Sequence, residues 1–231
     1  MSALYVVATP IGNLEDITIR ALKVMREADF IACEDTRKTR ILTSKYHIKT
    51  RLIPYHEYNK KSAADAIAGG IMKGRDYVLV SEAGTPLISD PGSYLVRLCI
   101  EKGIKVVPIP GPSSVLTAIS ASGLNTSEFT FIGFLPKKDG KRKKVLAKLK
   151  DEKRVFILFE PGRSVGKLLA EINEIMGSVK ICYAKELTKI YEFIETKDVK
   201  TITEEIKNRP ELTKGELTLI VDPSPIAETN Q

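Results

Sequence analysis

Residues 4–8 (LYVVA) form an uninterrupted apolar run that leads directly into residues 9–13 (TPIGN), a loop of small, polar and proline residues. The run is too short for a helix, and its composition favours a strand that is buried on both faces. The same pattern recurs through the first half of the chain: strands are expected at residues 30–33, 52–53, 77–80 and 105–109, and helices at 19–28, 37–45, 62–73 and 94–102. Strands that alternate with helices indicate a parallel sheet, so the sequence predicts an α/β fold.

The second half of the chain mixes the two kinds of element with fewer parallel crossovers. Strands are expected at residues 129–132, 155–159, 181–184, 191–194 and 217–221, the third and fourth forming a hairpin, with helices at 165–176 and 202–208 and a frayed tail over 222–231. We therefore predict two domains: a parallel-sheet α/β domain over residues 1–115 and a mixed α/β domain over residues 116–231.

Composition narrows the class of protein. The chain has 231 residues, of which 43% are hydrophobic, so it can bury a core. It contains no run of about 18 apolar residues and no basic segment at its start, so we expect neither a membrane span nor a signal peptide. Cys33, Cys99 and Cys182 form no paired motif and are expected to be buried thiols in the reducing cytoplasm. With only two histidines, His47 and His56, no metal site is predicted.

The positive charge is concentrated in one segment. The chain carries a net charge of +7, and residues 136–154 alone hold ten lysines and arginines against three acids. Confined charge of this kind indicates an anionic partner such as RNA, whereas a solvated helix face is the usual alternative. We expect an exposed helix from about Lys141, and RNA contacts from Lys137, Lys138, Lys141, Arg142, Lys143 and Lys144.

Four predicted strands end in loops of unusual composition, and ligands in parallel sheets bind beyond the carboxyl ends of the strands. In residues 81–92 (SEAGTPLISDPG), Gly84 permits a positive φ and Pro86 stiffens the loop. The loop is either a ligand-binding wall or a rigid connection in which Ser89 or Asp90 caps the next helix.

Residues 34–37 (EDTR) place two acids and a base at another strand end. The acids could orient a substrate hydroxyl while Arg37 holds a phosphate. Equally, Asp35 or Thr36 caps the following helix and Arg37 pairs with Glu34. Both interpretations remain open on the sequence alone.

Several familiar signatures are absent. No GxGxxG follows a strand, no GxxxxGK[ST] phosphate loop occurs, and there is no GxSxG nucleophile elbow. The glycine-rich loop of Rossmann-like methyltransferases is also missing. These absences argue against dinucleotide-dependent, P-loop and α/β-hydrolase enzymes.

Taken together, the strand-end motifs resemble the tetrapyrrole methylase superfamily. The similarity lies in residues 8–18, 33–37, 81–92 and 110–114, and the branch that acts on ribosomal RNA is matched further by residues 133–136, 185–189 and 214–221. The resemblance covers about Ala3 to Val221. It implies a two-domain fold with an interdomain cleft for S-adenosyl-L-methionine, a homodimer, and 2′-O-methylation of a cytidine in the decoding region of 16S rRNA, with 16S rRNA or the small ribosomal subunit as partner.

The resemblance and the strand-end placement together suggest site residues. The cofactor would contact Thr9, Pro10, Gly12, Gly84, Thr85, Pro86, Ile88, Ser113, Ser114, Leu217 and Thr218, and a valine at Gly84 is expected to block it by filling the space beside the glycine. The candidates for assisting the reaction are Glu34, Asp35, Glu82 and Asp90, with no choice among them, and Arg37 is a further RNA contact.

The chain departs from the family pattern in its second half. Gly162 stands where members have the histidine of a Ser-Pro-His-Arg-like stretch, and an Arg-Gly pair is replaced near residues 196–198. Two alternatives therefore stay open: a methyltransferase of tetrapyrrole or corrin rings, and an RNA-binding module without catalysis. The lysine-rich segment argues against the first, and the acid-bearing loops argue against the second.

Overall fold

The computed structural model describes residues 2–226. The chain divides into two compact units, the first ending at Ser113 and the second beginning at Ser114. Within residues 2–226, no helix combines the length and the apolar character needed to cross a bilayer.

The first unit is built on a five-stranded sheet in the order β3-β2-β4-β1-β5, with every neighbouring pair parallel. The predicted parallel sheet with intervening helices is therefore confirmed. Its strands are β1 (Ala3–Val7), β2 (Phe30–Cys33), β3 (Arg51–Pro54), β4 (Tyr77–Leu79) and β5 (Lys105–Ile109), and its helices are α1 (Ile19–Glu27), α2 (Thr36–Lys45), α3 (Lys60–Met72) and α4 (Ser93–Glu101).

Both faces of this sheet are covered by helices, which explains why its strands β1, β2 and β4 are apolar throughout rather than alternating. Ile31 of β2 packs with Met25 of α1 in one cluster. The next residue, Ala32, points to the opposite face and packs with Ile67 of α3 and Leu95 of α4. Successive side chains of a strand face opposite sides of the sheet, so one strand contributes to the hydrophobic clusters on both faces.

The second unit has a mixed sheet in the order β6-β7-β10-β8-β9, in which only the β6–β7 pair is parallel. The predicted mixed sheet and the β8–β9 hairpin are confirmed. The elements are α5 (Ser114–Ser122), β6 (Phe129–Phe134), α6 (Asp139–Glu152), β7 (Val155–Pro161), α7 (Gly162–Met176), β8 (Val179–Lys185), β9 (Phe193–Asp198), α8 (Val199–Asn208) and β10 (Glu216–Pro225).

The frayed tail expected over residues 222–231 was wrong in its first part. β10 continues to Pro225, where Asp222 pairs with Lys180 and Pro225 with Val179 across a register shift. Pairing with β8 satisfies backbone N–H and C=O groups of this segment, and composition alone does not reveal such pairing. Residues 227–231 of the expected tail lie outside the described part of the chain.

Candidate active site

Three strand-end loops of the first unit are tied together by hydrogen bonds. Thr9, after β1, and Gly84, after β4, exchange two backbone bonds of 2.9 Å. The hydroxyl of Thr85 donates to the carbonyl of Pro112, after β5, over 3.1 Å. Because β1 lies between β4 and β5, these loops emerge side by side and form one continuous wall beyond the sheet.

Gly84 is required by its backbone conformation and by a close neighbour. Its φ is +80°, and an added Cβ would lie 3.2 Å from Cγ2 of Ile11. The space beside the glycine is therefore already occupied by Ile11. That a valine at Gly84 blocks the cofactor stays a prediction, and the structure indicates in addition that the substitution strains the strand-end loop itself.

We expect Gly84→Ala to destabilise the protein by about 1 to 2 kcal/mol, because alanine is strained at positive φ and its Cβ crowds Ile11. Gly103→Ala is the matched control, since Gly103 also has a positive φ of +68° but has nothing within 4 Å of an added Cβ. Urea unfolding should show a smaller loss for the control. Wild-type stability in Gly84→Ala would contradict this account of the wall.

The remainder of the long loop after β4 holds unusual backbone conformations. Leu87 and Ser89 have φ of 73° and 65°, values that non-glycine residues seldom adopt. The following helix α4 is capped by Gly92 without a side-chain hydrogen bond, so the predicted cap by Ser89 or Asp90 was wrong. Strained residues of this kind persist where the surroundings enforce them and often lie at functional sites.

Asp90 stands out among the predicted acids. Burial, then the charge of Glu34 and more weakly that of Glu82, together raise the pKa of its carboxyl to about 6, although a hydrogen bond from Ser81 opposes the shift. The electrostatic coupling places Glu34, Glu82 and Asp90 close together at the ends of β2 and β4. A half-buried carboxyl that titrates near neutrality is suited to accept a proton.

Asp35 behaves in the opposite way. The side chain and the backbone N–H of Arg37 donate to its carboxylate, at 2.8 Å for the guanidinium Nη2, and they lower its pKa to about 2. Asp35 also caps α2. Of the two interpretations of residues 34–37, the cap is confirmed, but Arg37 pairs with Asp35 and not with Glu34. A strongly acidic, paired carboxylate is a poor proton acceptor, so Asp90 is the better candidate.

The remaining predicted cofactor residues differ in their exposure to solvent. Pro10 and Pro86 are buried in the loops after β1 and β4, Gly12 and Ile88 are exposed, Ser113 is half-buried, and Ser114 begins α5. In the second unit, the side chain of Leu217 is 3% exposed and packs in the core with Tyr183 and Leu212, and its contact with the cofactor stays a prediction. Thr218 is buried too, on the opposite face of β10.

The basic segment forms helix α6, but much of its charge is neutralised inside the second unit. The guanidinium of Arg142 contacts Glu171 of α7 at 2.6 Å and Asp139 at 3.0 Å, and its side chain is only 13% exposed. Lys143 pairs with Glu174 at 2.7 Å. RNA contact by Arg142 stays a prediction, and the structure shows that Glu171 of α7, distant in sequence, and Asp139 of the same helix already engage its guanidinium. Lys137, Lys138, Lys141 and Lys144 remain exposed.

Sequence reasoning missed the loop after β3. Residues 55–59 (YHEYN) leave the same edge of the sheet as the other loops, with Tyr58 98% exposed beside His56. The signal was available in the sequence, as a histidine and two aromatic residues directly after a strand. The sequence pattern predicts a strand of only two residues, 52–53, and so short a strand does not identify residues 55–59 as a strand-end loop.

S-adenosyl-L-methionine presents a positive sulfonium and an ammonium group, so its fit can be judged from the first unit. The carboxylates of Glu34 and Asp90 complement those charges, Glu82 is already paired with Lys38, and the small residues Ala83 and Gly111 of the same strand-end loops are exposed. The residues present therefore fit this cofactor. Within residues 2–226, no group of three or more His, Cys, Asp or Glu side chains could hold a metal ion.

The chain was compared with known proteins. Residues 3–203 match the family model of the tetrapyrrole (corrin/porphyrin) methylases. A Haemophilus influenzae protein, "Ribosomal RNA small subunit methyltransferase I", is 42% identical over 228 residues, covering 98% of this chain and 81% of that protein. Its Thermotoga maritima counterpart is 44% identical over 96% of this chain and 98% of its own length. The chain belongs to the tetrapyrrole methylase family, in the branch of ribosomal RNA small subunit methyltransferase I.

Solved structures support the tetrapyrrole methylase fold. Diphthine synthase superposes with a TM-score of 0.74 at 17% identity, covering 95% of this chain and 90% of its own. Cobalt precorrin-4 methyltransferase gives a TM-score of 0.67 at 17% identity, covering 96% of both chains. At these identities the likeness concerns the fold alone.

The structure explains the departure from the tetrapyrrole methylase pattern at Gly162. Its amide donates to the carbonyl of Gly215 over 2.9 Å, and an added Cβ would lie 2.4 Å from the carbonyl oxygen of Thr213. The segment before β10 therefore occupies the position that a side chain would need. Any residue larger than glycine requires this segment to move.

Proposed function

We propose that this protein transfers a methyl group from S-adenosyl-L-methionine to the 2′-hydroxyl of a cytidine in the decoding region of 16S rRNA. The observation that carries the chemistry is Asp90, a half-buried carboxyl with a pKa of about 6 among the strand-end loops. The names of relatives 42–44% identical over nearly the whole chain support ribosomal RNA of the small subunit as the acceptor.

S-adenosyl-L-methionine supplies an electrophilic methyl group on a sulfonium. A ribose hydroxyl is a weak nucleophile, so the protein's contribution is to orient it and to remove its proton. Asp90, ionised above about pH 6, accepts that proton. Burial and the nearby charge of Glu34 make the Asp90 carboxylate more basic than an isolated one, whereas the weaker contribution of Glu82 comes from a carboxylate that also pairs with Lys38.

The exposed lysines of α6 favour RNA over a small ring. After the ion pairs with α7, Lys137, Lys138, Lys141 and Lys144 still present four cations. Phosphates of RNA are spaced to contact such a surface, and each contact releases counterions. A tetrapyrrole or corrin is too small to need a surface of this extent, and an RNA-binding module would not need Asp90.

The proposal can be tested by incubating the protein with methyl-labelled S-adenosyl-L-methionine and one of three acceptors. These are small ribosomal subunits lacking the modification, free 16S rRNA, and a corrin precursor. We expect label in the RNA of at least one of the first two and none in the corrin. Label in the corrin alone would support the small-ring alternative, and binding of RNA without transfer would support the non-catalytic module.

The exposed lysines of α6 lead to a separate prediction about the salt dependence of RNA binding. Because Arg142 and Lys143 are engaged by acids, only Lys141 and Lys144 of the central lysine run remain for phosphates. Replacing both with glutamine should flatten the dependence of log K on log salt by roughly 1.5 units. Affinity should fall alike for all RNA sequences, because phosphate contacts carry no sequence information.

The matched control removes the same charge elsewhere. Lys102 and Lys105 are exposed at the amino-terminal edge of the first unit's sheet, away from the strand-end loops. Fluorescence titrations across salt concentrations should give Lys102→Gln/Lys105→Gln a wild-type slope. If both double variants show the same dependence of log K on log salt, the lysines of α6 do not contact RNA, and α6 is only a solvated helix face.

The proposal includes a cytoplasmic homodimer, as the family resemblance implies. Cys33, Cys99 and Cys182 are buried free thiols, which is compatible with a reducing compartment. Light scattering at working concentration should give twice the mass of one chain, 25.6 kDa.

A further inference from the structure

The loop after β3 lies next to the acidic loop after β2. The two strands are parallel, Cys33 is paired with Pro54, and the amide of Tyr55 donates to the carbonyl of Cys33 over 2.8 Å. Residues 55–59 therefore begin alongside Glu34.

The loop is closed by its own hydrogen bonds. The side chain of Asn59 accepts from the amide of His56 at 2.8 Å and donates to the carbonyl of Pro54 at 3.0 Å. The amide of Asn59 donates back to the carbonyl of His56 at 3.1 Å. A turn held at both ends fixes the backbone that carries Tyr58.

Tyr58 is held out into solvent. Its side chain is 98% exposed, and its ring lies at an angle of 64° to the ring of His56, with the two centroids 6.0 Å apart. Exposing a whole aromatic ring forgoes the gain from burying it. A tyrosine presented by a closed turn in this way has one flat face available to a ligand.

The same loop contains a buried ring nitrogen that has no hydrogen-bond partner among the described residues. Nδ1 of His56 is buried and has no partner among residues 2–226. Buried polar groups in folded proteins are nearly always paired, and the exceptions call for an explanation such as a missing ligand. His56 is therefore a second residue of this loop whose polar group is left for a partner outside the described residues.

The neighbouring helices supply positive charge. Arg40 of α2 and Lys61 in the first turn of α3 are exposed, and within the described residues neither takes part in an ion pair. Lys60 pairs with Glu57 inside the loop. Exposed cations on the helices that follow β2 and β3, together with an exposed aromatic ring after β3, are the combination that single-stranded nucleic acids contact.

From these contacts we infer that Tyr58 is the stacking platform for an unpaired base of the RNA, adjacent to the acids at the ends of β2 and β4. The inference rests on the proposed function and names the form of its substrate. RNA loops offer unstacked bases that aromatic side chains receive, whereas the bases of a duplex are already stacked. Arg40 and Lys61 would contact the flanking phosphates, and the stacked base would hold its neighbour's ribose near Asp90.

The test compares Tyr58→Ala and Tyr58→Phe in the full chain. The probes are a fluorescent single-stranded RNA and a blunt RNA duplex of the same length, both titrated at one salt concentration. We expect Tyr58→Ala to bind the single strand about 10- to 100-fold more weakly, with unchanged affinity for the duplex, because it removes one stacking contact. Tyr58→Phe keeps the ring and should bind as the wild type does.

Tyr191→Ala is the matched control, since Tyr191 is 77% exposed but lies in the second unit. It should change affinity for either probe less than twofold. Thermal melts should coincide for all variants, because neither ring is packed in a core.

Three results would overturn the inference: wild-type affinity in Tyr58→Ala, an equal loss on both probes, or impaired methylation of assembled subunits with wild-type single-strand binding, which would indicate a ribosomal protein contact. These differ from failure of the proposed function, in which the wild-type protein itself neither binds nor methylates ribosomal RNA.

Discussion

Asp90→Asn is expected to lower kcat by at least about 100-fold while making the folded protein more stable at pH 7. The loss follows because asparagine cannot accept the proton of the ribose hydroxyl. The gain in stability follows because the Asp90 carboxyl is partly buried and its pKa is raised on folding. The folded protein holds the Asp90 proton up to about pH 6 and the unfolded chain only to its usual pKa of 3.8, so stability falls as pH rises through that window. A neutral asparagine removes that penalty.

Steady-state rates over pH and thermal melts check both halves of this prediction. Wild-type kcat should rise with pH through about 6, and the variant's residual rate should lack that limb. Asp35→Asn is the matched control: the pKa of Asp35 is about 2, and asparagine also caps helices well, so this variant should keep the limb. An Asp90→Asn enzyme with wild-type kcat would remove Asp90 from the reaction.

Arg142→Met is expected to destabilise the protein by roughly 2 to 4 kcal/mol, because it leaves Glu171 without its partner. The carboxylate of Glu171 belongs to a residue only 5% exposed, and Arg142 holds both of its oxygens. Burying an unpaired charge is costly, whereas an apolar pair of similar volume is tolerated. The double variant Arg142→Met/Glu171→Leu should therefore recover most of the loss.

Urea unfolding distinguishes this structural role from RNA contact. Lys143→Met is the control on the same helix, since its pair with Glu174 is exposed to solvent and should contribute little to stability. A variant at Arg142 with wild-type stability and a flattened salt dependence of RNA binding would instead favour RNA contact by this residue.

The strands and helices of the first unit could be predicted because each local pattern agrees with the fold. Strands buried on both faces are continuous apolar runs, and α1 and α2 begin with the polar caps Thr18 and Asp35. The end of β10 could not be predicted, since residues such as Asp222 are held by pairing with β8, which is distant in sequence.

The candidate site was predictable as a set of loops but not residue by residue. Parallel strands bring their carboxyl ends together, so the meeting of Thr9, Gly84 and Pro112 follows from the alternation of elements. The differing pKa values of Asp35 and Asp90 arise from burial and from partners that only the folded chain supplies. The pairing of Arg142 with Glu171 is likewise a contact between helices that the charge of α6 alone conceals.

The central claim is tested most directly by locating the transferred methyl group. Small ribosomal subunits that lack the modification are incubated with the protein and methyl-labelled S-adenosyl-L-methionine, and their rRNA is digested to nucleosides and separated with mass detection. The account predicts label in 2′-O-methylcytidine with the wild-type protein, reduced at least about 100-fold with Asp90→Asn. Label on a nucleobase, or none in the rRNA, would contradict it.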